Sequence, residues 1–140
     1  MKQVRFDHPG LAGLSGLGIG IFLAVAAGYA VNGWRNADDR RIEAEAMTGG
    51  VAARAPALLR RYGCSGCHEI SGIPGADGRV GGSLDGLRER VFIAGVLPNS
   101  PDNLLRWIVN PERQDPRTAM PSTGIGPAEA RDVAAYLYSR

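Results

Sequence analysis

The stretch Cys64-Ser65-Gly66-Cys67-His68 constrains this chain more than any other, because it holds the only 2 cysteines among 140 residues. The pattern C-x-x-C-H is typical of covalent haem attachment, in which both thiols add to the vinyl groups of the porphyrin and the adjacent histidine binds the iron. Two residues between the cysteines let both sulfurs reach one edge of the ring. The motif therefore predicts one haem c, attached through Cys64 and Cys67, with His68 as an iron ligand.

Two other uses of these residues are a redox-active dithiol and half of a zinc site. A thioredoxin-like dithiol would require a βαβ pattern, which this chain, rich in glycine and proline, lacks. Zinc would require four ligands, yet the only other histidine is His8, near the N-terminus. Haem is therefore the favoured interpretation. Because haem c is attached outside the cytoplasm, we expect the domain that carries the motif to lie in the periplasm.

An apolar segment precedes the motif by some thirty residues. No Asp, Glu, Lys or Arg lies between Asp7 and Arg35, and residues 11–31 would span about 30 Å as a helix, enough to cross a bilayer. We predict a single-pass transmembrane anchor helix over residues 11–34, which would cross a bacterial cytoplasmic membrane. A cytoplasmic tail of residues 1–10 would precede it. The alternative is a cleaved secretory signal, for which the apolar run is long.

One face of this predicted anchor carries a small residue at every fourth position. Such rows are enriched where membrane helices pack closely, although glycine and alanine are common in membrane spans generally. We expect the anchor to contact lipid and also a transmembrane partner subunit, which would make the chain part of a complex. The face comprises Ala12, Gly16, Gly20, Ala24 and Gly28.

The formal net charge of +2 arises before residue 36, since residues 36–140 hold equal numbers of arginines and acidic residues, and no lysine. No basic stripe indicates nucleic-acid binding. The lack of lysine also excludes the lysine-ringed docking face of freely diffusing basic electron carriers. Long-range electrostatic steering should therefore contribute little to the choice of partner.

Composition and periodicity divide the rest of the chain. Residues 35–50 are predicted to form a charged helical spacer and linker, in which Asp39 and Glu43 share a solvated face. A domain of residues 51–140 follows. Apolar periodicity and proline positions predict its helices, and clustered glycine or proline predicts its loops. The helices are expected near 54–62, at 101–109 and from 127, with a loop at 70–87 and an extended, stiff segment at 111–126.

From about residue 50 to residue 140, this order of elements resembles that of class I cytochromes c. Besides C-x-x-C-H, the similarity rests on Arg90-Val91-Phe92-Ile93-Ala94-Gly95, on the run from Asn99 to Ile108, and on Thr118-Ala119-Met120-Pro121. The nearest likeness is to cytochrome c domains fused to or accompanying bacterial haem-copper oxidases. The resemblance implies an all-α class I cytochrome c fold around one covalent haem, preceded here by one transmembrane helix.

The resemblance also implies several site residues. Met120 would be the second axial ligand, because Met1 starts the chain and Met47 lies in the spacer. Its alternative role is that of a core methionine. Leu84, Arg88 and Trp107 would contact the haem, the last two at a propionate; their alternative roles are a surface arginine and a core tryptophan.

The chain departs from the family at one position. Family members usually carry Gly-Pro-x-Leu after the haem motif, and the carbonyl of that proline accepts a hydrogen bond from the proximal imidazole. Here Val80-Gly81-Gly82-Ser83-Leu84 places Gly82 at the proline position. The carbonyl is kept, but the rigid backbone of proline is lost, which makes the support of His68 unusual.

These expectations imply a protein that is not an enzyme but carries single electrons in a respiratory or photosynthetic chain. It would accept them from a quinol-oxidising complex or a soluble cytochrome and pass them to a terminal oxidase, as its subunit or its donor. One alternative is a haem enzyme or gas sensor with a displaceable Met120. Another is a structural subunit whose haem is incidental.

Overall fold

The computed structural model describes the backbone of residues 11–140 and the side chains from residue 18 onward. Within this range the elements are helices, apart from one short hairpin. The chain divides into two units, residues 1–36 and 37–140. The elements in chain order are α1 Leu11–Thr48, a 3₁₀ turn Ala52–Arg54, α2 Ala55–Arg61, α3 Cys64–Cys67, a 3₁₀ turn Leu87–Glu89, β1 Phe92–Ile93, β2 Leu97–Pro98, α4 Pro101–Val109, α5 Pro111–Gln114 and α6 Pro127–Tyr138.

The first unit contains the N-terminal part of α1, whose described side chains are exposed up to Asn36. Gly20, Ala24 and Gly28 of the predicted small-residue face are among them. Ala12 and Gly16 lie in α1 but before the residues whose side chains are described, and the predicted tail of residues 1–10 lies outside the described residues. No helix in the part of the chain that the structure describes is both long and apolar enough to cross a membrane.

The last turns of α1, residues 37–48, belong to the second unit, and we call them the α1 tail. Ala44 in this tail is completely buried. Glu45 Oε1 accepts a hydrogen bond from the N–H of Ala52 at 2.9 Å, and Glu43 Oε2 lies 2.6 Å from Arg88 Nη2. Glu43 is exposed, as expected, but it also pairs with an arginine from a loop distant in sequence. Asp39 is exposed, as expected.

The linker after α1 is packed against α6. Helix α1 ends at Thr48, within the predicted spacer and linker of residues 35–50. Gly50 is buried, and a Cβ at this position would overlap the backbone of Arg131. The N–H of Val51 donates to Asp132 Oδ1 at 2.7 Å. The backbone of Gly50 and Val51 is thus held against α6, the last helix of the domain.

Helix α6 forms the centre of the core, and it packs against both α2 and α4. Every residue from Asp132 to Tyr138 is buried, although a surface helix normally keeps one polar face in water. Its neighbour Leu59, in α2, is completely buried as well. Burial of one such leucine side chain contributes roughly 1.5–3 kcal/mol. The core beside the haem motif therefore rests mainly on α6.

Two helix boundaries follow from capping residues close in sequence. Helix α4 begins at Pro101 after Ser100, whose side chain accepts a hydrogen bond from the N–H of Asn103, and ends at Val109. Helix α6 begins at Pro127. Both prolines occupy the first helical turn, where their missing N–H costs nothing. The predictions for 101–109 and for a helix from 127 are confirmed.

The structure departs from the predicted extended segment at residues 111–126, and it contains a hairpin for which the sequence analysis made no prediction. Residues 111–114 form the one-turn helix α5 rather than extended chain, because Asn110 caps it by accepting from the N–H of Arg113. Strands β1 and β2 form a hairpin that pairs Ile93 with Leu97. Its turn holds Ala94 at φ 50° and Gly95 at φ 72°, and this left-handed geometry is common in two-residue hairpin turns.

Candidate haem site

A cavity of about 340 Å³ opens beside the C-x-x-C-H motif. Its lining includes both cysteines and His68 of the motif together with Met120 from the loop before α6. Most of the remaining wall is apolar and comes from α2, α4, α6 and the segments between them: Leu59, Leu84, Leu87, Ile93, Leu104, Trp107, Ile108, Val133 and Leu137. The fold thus brings two thiols, an imidazole and a thioether to one apolar cavity.

The motif itself forms the single helical turn α3. Gly63 precedes it at φ 72°, a left-handed conformation that glycine adopts without steric cost. The N–H of His68 donates to the carbonyl of Cys64 at 3.0 Å and closes the turn. Cys64 and Cys67 are not joined by a disulfide. Burial raises the pKa of the Cys64 thiol, which keeps it protonated at neutral pH.

The imidazole of His68 is held by a backbone carbonyl. Its Nδ1 lies 2.7 Å from the carbonyl oxygen of Gly82. Because a carbonyl can only accept, Nδ1 carries the ring proton, and the lone pair of Nε2 is left free to bind a metal. The glycine at the proline position of the family pattern therefore retains the hydrogen bond that orients the ring.

The neighbouring glycine provides the space that the ring occupies. A Cβ on Gly81 would overlap the imidazole of His68. The N–H of Gly81 also donates to the carbonyl of Cys67 at 2.8 Å, which ties this loop to the motif. Only a residue without a side chain allows the backbone to approach the ring this closely.

Met120 lies half-buried on the loop between α5 and α6. The loop is bent locally, since the N–H of Met120 donates to Thr118 Oγ1 at 3.1 Å and the N–H of Thr118 donates to the carbonyl of Asp115 at 3.0 Å. Thr118, Ala119 and Pro121 join Met120 in lining the cavity. The stretch that carries the family resemblance is therefore part of the cavity wall.

The remaining predicted site residues divide into two groups. Leu84 and Trp107 line the cavity. Arg88 does not: its Nη2 is paired with Glu43 in the α1 tail, and its Nη1 is buried without a partner among the described residues. The expected contact between Arg88 and the haem thus finds no support in the geometry of the site.

Arg90, which the sequence analysis did not select, lines the cavity instead. Its Nη2 donates to the carbonyls of Ser83 at 2.5 Å and Asp85 at 2.9 Å. Arg88 lies within the 3₁₀ turn Leu87–Glu89 and Arg90 directly follows it, so that residues two apart have different surroundings. No sequence signal distinguishes Arg88 from Arg90, because both follow the same loop and carry the same charge.

These residues fit a covalently bound haem. The two thiols are free, the His68 tautomer leaves Nε2 available, Gly81 makes room for the ring, and apolar side chains form the wall. The positive charge of Arg90 at the edge suits an acidic substituent. Fold and site together define a small helical domain that encloses one haem c.

Comparison with known proteins agrees with this class. The family model for cytochrome c matches residues 52–140. The chain therefore belongs to the cytochrome c family: it binds haem c covalently through Cys64 and Cys67 and acts as an electron-transfer protein rather than an enzyme.

One curated relative is cytochrome c oxidase subunit 2 from Alkalihalophilus pseudofirmus. It is 30% identical over 98 residues, which is 69% of this chain and 28% of that protein. The chain thus spans less than a third of the length of this relative. The similarity relates the domain to oxidase-associated cytochromes c. No solved structure matches the chain.

Proposed function

We propose that this chain is a membrane-tethered cytochrome c with a single haem, which carries electrons in a respiratory or photosynthetic chain as a subunit of a terminal oxidase complex or as its donor. The observation that carries the proposal is the meeting of His68 and Met120 at one apolar cavity beside the two cysteines. An imidazole and a thioether are the ligand pair of electron-carrying cytochromes.

In this proposal His68 Nε2 and the Met120 sulfur would hold the haem iron. The bound haem would supply one-electron exchange, and the thioether of Met120 would raise its reduction potential. The carbonyl of Gly82 fixes the His68 ring, while the apolar wall limits access of water. Two protein ligands leave no coordination position for a substrate, which suits a carrier.

The sequence supports the proposed tether and partners. An anchor at residues 11–34, in contact with lipid and a partner helix on the small-residue face, would follow a cytoplasmic tail of residues 1–10 and place the haem domain in the periplasm of a bacterium. Similarity to an oxidase subunit supports an oxidase as the electron acceptor. The lack of lysine after residue 36 favours a partner held nearby over one found by electrostatic steering.

The experiment uses the full chain, expressed with haem attachment and purified from membranes in mild detergent. We expect it to co-purify with a terminal oxidase and to remain in the membrane fraction, whereas a variant in which a cleavable secretory signal replaces residues 1–34 should be released by osmotic shock. Oxidase turnover of the complex should be lost in the His68→Ala variant. The proposal would be contradicted if the full chain were released by osmotic shock, or if oxidase turnover survived in the His68→Ala variant.

Carbon monoxide separates a carrier from a haem enzyme or gas sensor. With Met120 on the iron, the reduced protein should not bind carbon monoxide at neutral pH, and its absorption spectrum should be unchanged by the gas. Spectral binding at micromolar gas would indicate a displaceable Met120 and would favour the alternative function.

A further inference from the structure

The side chain of Asn99 is hydrogen-bonded at every polar atom. Its Nδ2 donates to the carbonyls of Leu87 at 2.7 Å and Arg90 at 2.8 Å. Its Oδ1 accepts from the hydroxyl of Tyr138 at 2.6 Å. Asn99 does not line the cavity, yet both residues to which its amide donates do.

The direction of these bonds is fixed by chemistry. Two carbonyl oxygens can only accept, so the amide nitrogen must face them and Oδ1 must face the phenol. Tyr138 then has to donate, and burial raises its pKa to about 12, which keeps the proton on the hydroxyl. Tyr138 is only 4% exposed and belongs to the most buried helix. Asn99 therefore connects Tyr138, in the buried helix α6, to the segment of residues 87–90.

That segment determines where Arg90 lies. The two hydrogen bonds from Asn99 reach Leu87, where the 3₁₀ turn Leu87–Glu89 begins, and Arg90, which directly follows that turn. From there the guanidinium of Arg90 returns to the carbonyls of Ser83 and Asp85 at the edge of the cavity. The charge at this edge is thus positioned by a chain of bonds that starts at Tyr138 in α6.

We propose that Asn99 is a positioning residue, which holds Arg90 at the edge of the haem cavity and thereby sets the reduction potential of the haem. A positive charge fixed near the iron stabilises the ferrous form, which is less positive than the ferric form by one unit. Arg90 is exposed, so hydrogen bonds rather than burial keep its guanidinium at the cavity. When Asn99 is lost, the segment that carries Arg90 is released, the charge is no longer held beside the haem, and the potential falls. The proposal requires the haem itself but neither a membrane nor an oxidase.

The test is a thermodynamic cycle on the holoprotein, with Asn99→Ala, Arg90→Gln and the double variant. The midpoint potential is measured by redox titration of the haem absorption, and stability by denaturant unfolding. Asn99→Ala should lower the potential in the parent protein and leave it unchanged in the Arg90→Gln background, although it destabilises both. Asn103→Ala is the matched control, because this asparagine also donates to a hairpin carbonyl, that of Pro98 at 2.8 Å, without reaching Leu87 or Arg90. Its potential should equal that of the parent.

Tyr138→Phe provides a second variant in case Asn99→Ala yields no folded holoprotein. It keeps the amide of Asn99 but frees Oδ1, so it should lower the potential by less than Asn99→Ala, and again only when Arg90 is present. The proposal is overturned if Asn99→Ala or Tyr138→Phe lowers stability without changing the potential. An equal fall in potential with and without Arg90 would overturn it as well.

Discussion

Two adjacent glycines, Gly81 and Gly82, should respond in opposite ways to alanine. A Cβ on Gly82 meets no atom within 4 Å, and its backbone is not left-handed. A Cβ on Gly81 would lie 2.6 Å from Nδ1 of His68, whereas ordinary contact begins at 3.4 Å. The same substitution therefore fills open space at one position and displaces the proximal imidazole at the next.

The magnitudes follow from these distances. The nearest ring atom of His68, Cε1, would lie 2.3 Å from a Cβ on Gly81, so relief of the clash requires the ring to move by about 1.1 Å. That shift would stretch its 2.7 Å bond to Gly82 beyond hydrogen-bonding range. The lost bond costs about 1 kcal/mol, and the overpacking adds about 1–3 kcal/mol. By contrast, Gly82→Ala should stabilise the protein by about 0.4–1 kcal/mol, since it restricts the unfolded chain. A difference of about 3 kcal/mol corresponds to roughly 12–24 °C in Tm for a domain of this size.

Both variants are measured as holoproteins by thermal unfolding and redox titration. Gly81→Ala should give a lower Tm, a lower yield of protein with normal low-spin absorption and an altered midpoint potential, because the basicity and orientation of His68 depend on its carbonyl partner. Gly82→Ala should keep the parent spectrum with a slightly higher Tm. If Gly81→Ala matches Gly82→Ala in Tm and spectrum, the close packing of Gly81 on His68 is wrong.

Three further predictions concern other parts of the domain. Met120→Ala should abolish the iron–sulfur charge-transfer absorption, lower the potential and let carbon monoxide bind; an unchanged spectrum would exclude Met120 as a ligand. Because burial raises the pKa of Tyr138 from 10.0 to about 12, the unfolded state releases the phenol proton first, so stability should fall as pH rises from about 10 to about 12. Urea unfolding across that range should show a smaller fall in Tyr138→Phe. Ala44→Asp should cost on the order of 3–5 kcal/mol by burying an unpaired charge, whereas Ala46→Asp, at an exposed position, should change the stability by less than about 0.5 kcal/mol.

The parts of the fold that could be predicted are those set by local chemistry. Ser100 and Pro101 start α4, and Pro127 starts α6, because capping and the fixed φ of proline act within one helical turn. The C-x-x-C-H motif is equally local, since five consecutive residues define the covalent attachment. These signals require no knowledge of what lies elsewhere in the chain.

The parts that could not be predicted depend on contacts distant in sequence or on an uncommon backbone. The bond between Asn99 and Tyr138 links elements whose approach is decided only by the packed core. The hairpin turn places alanine rather than glycine or asparagine at φ 50°, so the usual turn signal is missing. Arg88 lies within a 3₁₀ turn and Arg90 directly after it, a difference that no local sequence signal marks.

The α1 tail shows how a charged pattern can hide a packed segment. Its run of acidic and basic residues indicates a solvated helix, yet Ala44 is completely buried and Glu43 pairs with Arg88. The match to the cytochrome c family begins only at residue 52, so the tail is an addition to the family domain.

A carrier that swings on a flexible linker would need free chain between this tail and the haem domain. Here Val51 and Ala52 donate to Asp132 and Glu45, and Gly50 packs against the backbone of α6. Motion at this linker would break each of these contacts, so the α1 tail and the rest of the haem domain are held together.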